Sequence, residues 1–98
     1  MDKNIYRPSE DVISSQVGDE LVLLHTATDK AYGLDATSAF VWALLDADGK
    51  TREQLVDDLT GHFDVEFDRA LADLDALLKH FSRENLICSE PMKPDFTG

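Results

Sequence analysis

Between Phe67 and Phe81 large apolar residues recur at spacings of four, three, four and three, through Leu71, Leu74 and Leu78. At about 100° per residue this spacing places them on one stripe of a helix, and Ala70 and Leu77 widen the stripe on one side. The pattern predicts a helix from about Phe67 to Arg83. Such a stripe has to be covered by the rest of the chain.

The first third supplies strands. Val12 to Val17 carries apolar residues at Val12, Ile13 and Val17, and Gly18-Asp19 follows as a turn pair. Glu20 to Thr26 then holds four consecutive aliphatics, Leu21 to Leu24, which predicts a strand with some cover on both faces. After a connection at Ala27-Thr28-Asp29, Lys30 to Leu34 makes a third strand with Tyr32 and Leu34 on one face and Ala31 and Gly33 on the other.

Two further helices lie between this meander and the long one. Asp35 is an N-cap, Val41, Trp42 and Leu45 share a stripe with Leu44 at its margin, and the helix should run from about Ala36 to Ala47. We expect it to stop at Asp48-Gly49 with the glycine in the left-handed conformation. Thr51 and Gln54 form a capping box for the next helix, whose apolar side is Leu55, Val56 and Leu59 and which Gly61 should end. Leu86 and Ile87 dock back onto the core. The expected organisation is an N-terminal arm over 1–11, one domain over 12–88 and a disordered tail over 89–98. The fold class is α+β, a three-stranded antiparallel sheet followed by three helices.

Composition narrows what such a domain can do. With 43% apolar and 30% charged residues the chain is that of one compact soluble unit. No apolar run approaches the roughly 18 residues of a membrane span. The start, MDKNIYRPSED, lacks the apolar segment of a signal peptide, so we expect a cytoplasmic protein. Nine Lys and Arg against twenty Asp and Glu give a net charge of −11, which repels phosphate backbones and anionic membranes.

Reactive groups are sparse. His25, His62 and His80 have no second His, Cys or acid at a recognised ligand spacing, so no metal is expected. Cys88, the single cysteine, excludes an internal disulfide; it follows an apolar pair and reads as a packed, inert thiol. Ser38 opens a helix as the phosphopantetheine serine of acidic carrier proteins does, but those are helical bundles with a DS-type motif, and here three strands precede the segment DATSAF. Asp57-Asp58 and the Asp73, Asp75 pair suit solvated helix faces better than acid-base catalysis. No glycine-rich phosphate loop is present. These features predict a binding module with no catalytic residues and no cofactor.

A three-stranded sheet has two edges, and an edge exposes unpaired N–H and C=O groups that another chain can complete. If the third helix packs beside the third strand, an extended peptide could enter between them by β-augmentation. The candidate wall on the strand is Lys30, Ala31, Tyr32, Gly33 and Leu34. On the helix, the flank beside Leu77 carries Arg69, Asp73, Ala76 and His80, and the opposite flank carries Asp68, Ala72, Asp75, Lys79 and Ser82. We favour the first, which offers a small residue, an apolar margin and charges of both signs; both flanks stay open at this point.

The stretch LVLLHTATDKAYGLDATSAFVWALLDADGKTREQLVDDL, Leu21 to Leu59, followed by FDV and a helix ending in LI, resembles the PqqD family of peptide-recognition proteins. It is most similar to the small stand-alone leader-binding proteins of lasso peptide biosynthesis. Tyr32, Leu34, Trp42, Leu44, Leu45, Asp48, Gly49 and Thr51 occupy the places of the family pattern, and Asp73 falls where the last helix often has an acid. Asp35 stands where Asn is usual, and both cap helices. The likeness spans about Val12 to Ile87.

That resemblance implies a winged-helix-like RiPP recognition element. It would bind the leader of a ribosomally made precursor peptide as an added strand and deliver it to a leader peptidase or a radical SAM enzyme. As a free protein it would be a monomer or a weak homodimer. Two other readings share the order of elements. One is a winged-helix nucleic-acid binder, opposed by the net charge and by Glu53, Asp57 and Asp58 on the second helix. The other is an adaptor that dimerises through the open edge.

Overall fold

The structure is a computed structural model and describes residues 4–91. The expected meander is present as β2 (Val12–Val17), β3 (Glu20–His25) and β4 (Lys30–Leu34), an antiparallel sheet in that order. Gly18, at φ +62°, turns β2 into β3. Asp29 turns β3 into β4 at φ +59°, a left-handed conformation that Asp tolerates, and its N–H donates to the His25 carbonyl at 2.8 Å. Tyr32 and Leu34 lie half-buried on the core side, and Ala31 and Gly33 lie exposed on the other. One face of β3 is fully covered, with Leu23 buried, and the other has the partial cover expected, with Val22 half-buried and Leu24 40% exposed.

The helices follow as α1 (Ala36–Ala47), α2 (Arg52–His62) and α3 (Phe67–Arg83). Asp35 caps α1, accepting from the Ser38 N–H at 2.8 Å. The capping box of α2 is complete: the Gln54 N–H donates to Thr51 Oγ1 at 3.2 Å, and the Thr51 N–H donates to Gln54 Oε1 at 3.0 Å. Val41, Trp42 and Leu45 from α1 meet Leu74, Leu78 and Phe81 from α3 in one buried cluster, with Trp42 edge-on to Phe81 at 5.7 Å between ring centroids. Each such side chain contributes about 1.5–3 kcal/mol by leaving water. The stripe of α3 is rotated slightly from the expected one. Ala70 is buried while Phe67, in the first turn, is 54% exposed.

A second sheet joins the segments expected to be an arm and a tail. Asn4–Pro8 forms β1, and it pairs antiparallel with β5 (Lys50–Thr51) on one side and β6 (Ile87–Pro91) on the other. The arm expected over 1–11 is therefore part of the fold from Asn4 onward, and residues 89–91 of the expected tail are strand. The remainder of that tail lies outside the described residues. Tyr6 packs against the core, and Arg7 pairs with Glu90 at 2.8 Å across the ladder.

This sheet also explains the glycine after α1. A Cβ on Gly49 would come within 2.7 Å of Ile5 Cγ2, so Gly49 makes room for β1 to cross the end of the helix. It is not the left-handed stop expected from the sequence, because α1 closes on Asp48 in extended conformation. Gly61 likewise does not end α2, which runs on to His62 and closes on Phe63. Leu86 and Ile87 are buried as expected, but Cys88 is exposed on β6, because it alternates with buried Ile87. That corrects the packed thiol expected above.

Candidate functional site: the open edge of β4 beside α3

β4 is an end strand of its sheet, and no described residue pairs along its far side. The register settles which backbone groups are left over. Val12 pairs with His25, so Asp11 and Thr26 come next, and the Thr26 N–H donates to the Asp11 carbonyl at 2.8 Å. Backbone groups alternate in direction along an antiparallel strand, so His25, Leu23 and Leu21 point theirs the other way, at β4. Their partners are Lys30, Tyr32 and Leu34. Ala31 and Gly33 therefore direct their N–H and C=O groups at the unpaired margin.

One hydrogen bond ties the end of α3 to that strand. The Tyr32 hydroxyl donates to Glu84 Oε1 at 2.8 Å, joining β4 to the residue that closes α3. The hydrogen bond to Glu84, with lesser help from desolvation and from the carboxylate's charge, raises the phenol above its ordinary range. Glu84 is held by a Schellman motif: Asn85 is left-handed at φ +58°, its N–H donates to Ser82 O at 3.1 Å, and the Leu86 N–H donates to Phe81 O at 2.9 Å.

Further along, a cavity of about 370 Å³ opens between the first turn of α1 and the middle of α3. Asp35, Thr37 and Ser38 line it from one side, and Asp73, Ala76, Leu77 and His80 from the other. Asp35 stays charged readily, because hydrogen bonds from the backbone N–H and side chain of Ser38 hold its carboxyl below the usual aspartate range.

The structure thus brings Asp73, Ala76, Leu77 and His80 to one cavity at the end of β4. The opposite flank faces elsewhere: Asp75 receives Arg52 of α2, with Arg52 Nη2 to Asp75 Oδ2 at 2.8 Å, and this pairing lowers the Asp75 carboxyl below its usual range. Arg69 does not line the cavity, and Lys30 lies exposed at the start of β4, at the end remote from it. Thr37 and Ser38 are lining residues, and Glu84 the anchor of Tyr32, that the sequence alone does not mark. Asp35, expected as a cap, also lines the cavity. No local signal gives these roles, since they depend on how α1 and β4 pack against α3. Among the described residues no group of three or more His, Cys, Asp and Glu is placed to hold a metal ion. No described helix is long and apolar enough to cross a membrane.

Comparison with known proteins fits this geometry. The family model for coenzyme PQQ synthesis protein D, PqqD, matches residues 20–87. The solved structure of TbiB1 in complex with the TbiA(beta) leader peptide is similar at a TM-score of 0.76 and 33% identity, over 83% of this chain and 93% of that one. Lasso peptide synthetase B1 complexed with the leader peptide shares the fold at a TM-score of 0.72 and 23% identity, over 88% and 98% of the two chains. No curated protein matches the sequence. The chain belongs to the PqqD family, as the resemblance over Leu21 to Leu59 implied.

Proposed function

We propose that this protein is a non-catalytic, cytoplasmic recognition module that captures the leader of a ribosomally synthesised precursor peptide. The leader adds as a strand to β4, with Lys30, Ala31, Tyr32, Gly33 and Leu34 as one wall and Arg69, Asp73, Ala76, Leu77 and His80 as the other. The module, the domain expected over 12–88 with β1 and β6 joined to it, presents the captured peptide to a processing enzyme. The pathway is lasso peptide biosynthesis, with a leader peptidase as the enzyme; the PqqD kinship also accommodates a radical SAM maturase.

The observation that carries this reading is the unpaired margin of β4. Ala31 and Gly33 offer two N–H donors and two C=O acceptors to a fourth strand, and α3 stands beside them with a cavity in its flank. A nucleic-acid role draws no such support. On α2 the cation Arg52 is committed to Asp75, and Glu53 and Asp57 are exposed.

Proline at position 31 or 33 tests strand addition, because each removes one outward N–H and leaves the pairing with β3 intact. Binding would be measured by fluorescence anisotropy with a synthetic leader taken from the short open reading frame adjoining the gene. Ala31→Pro and Gly33→Pro should each weaken binding by about 1 to 3 kcal/mol while circular dichroism stays native. Unchanged affinity in both folded variants would refute strand addition.

A further inference from the structure

We infer that the cavity between α1 and α3 receives a lysine or arginine side chain of the bound peptide; this rests on strand addition at β4 and names the chemistry that confers specificity. The cavity, about 370 Å³, has room for one long side chain. Its lining splits by polarity. Ala76 and Leu77 form an apolar strip on α3, and Asp35 before α1 and Asp73 on α3 bring carboxylates to the same lining. That is the surface that suits an aliphatic stem ending in a cation. No Lys or Arg is among the lining residues. Asp75, one of the neighbouring acids of α3, already has Arg52, whereas Asp73 has no hydrogen-bond or ion-pair partner among the described residues. Asp35 accepts from the backbone N–H and the side chain of Ser38, so it contributes a fixed negative charge to the rim, and Asp73 is the acid left to meet a cation. The partial positive charge at the start of α1 is already met by Asp35, so the cavity does not favour an anion.

The position in the peptide follows from the register. A residue paired with Gly33 turns its side chain to the exposed face of the sheet, as Gly33 itself does. The next residue, opposite Leu34, turns towards α3, and β4 ends at Leu34, next to Asp35 on the rim of the cavity. The basic residue is therefore the one opposite Leu34.

The test selects binders from a random-peptide display library on the intact protein and retains those that Gly33→Pro no longer captures. These edge-dependent peptides should share a Lys or Arg at one fixed position, and selection on Asp73→Lys should replace it by Asp or Glu. In a chosen binder, Lys→Met at that position, or Asp73→Asn in the protein, should weaken binding about tenfold and flatten its salt dependence. Asp73 is exposed, so Asp73→Asn retains the fold if Asp73→Lys does not. Edge-dependent binders without a preferred basic position overturn this inference and leave strand addition standing. Binders indifferent to Gly33→Pro, or no enrichment, overturn both.

Discussion

At the scale of single residues, Gly49 and Tyr32 show how the same sequence signals serve ends a local reading does not reveal. Gly49 follows a helix and reads as a stop, yet its missing Cβ is what lets Ile5 approach. Gly49→Ala should therefore destabilise the protein by about 1–3 kcal/mol through overpacking, measured as a lower denaturant midpoint with unchanged slope. For Tyr32 the sign of the pH effect is fixed by the raised phenol. A group whose pKa is higher folded than unfolded stabilises the fold below its unfolded value, about 10, and loses that contribution as pH rises through the folded value. Thermal melts of the native protein should fall above pH about 10, and Tyr32→Phe should show a smaller fall over the same range. Asp35 and Asp75 act in the opposite sense. Their lowered carboxyls stabilise the fold above pH about 4, and that part is lost as pH falls below it.

At the scale of elements, what was legible in the sequence is what neighbours along the chain decide. The bounds of α1 and α3 followed from caps and the 3.6-residue stripe, and the β2-β3-β4 meander from short turns between apolar runs. The β1-β5-β6 sheet was not legible, because its pairings join Asn4 to Pro91 and Ile5 to Thr51, and NIYRP is too short and polar to announce a strand alone. The favoured flank of α3 could be drawn from helix angles, but the rim supplied by Asp35, Thr37 and Ser38 depends on the angle between α1 and α3, which no local pattern encodes. The end of α3 allows a direct check. Asn85→Ala should cost about 1 kcal/mol, because alanine resists the left-handed conformation, whereas Asn85→Gly should not. Paired chemical denaturation curves of the two variants measure the difference.

At the scale of the whole molecule, the open margin of β4 has an acidic cavity beside it, on a chain of net charge −11. Such a surface suits a partner that brings main-chain groups and positive charge, and it disfavours nucleic acid. Amide hydrogen exchange, read residue by residue with and without the synthetic leader, tests strand addition at β4. In the free protein the Ala31 and Gly33 amides should exchange fast and the Tyr32 amide slowly, since only the last is bonded within the sheet. Saturating leader should slow the exchange of Ala31 and Gly33 together. Protection confined to other strands, with these two amides still exchanging at the free rate, would contradict the account.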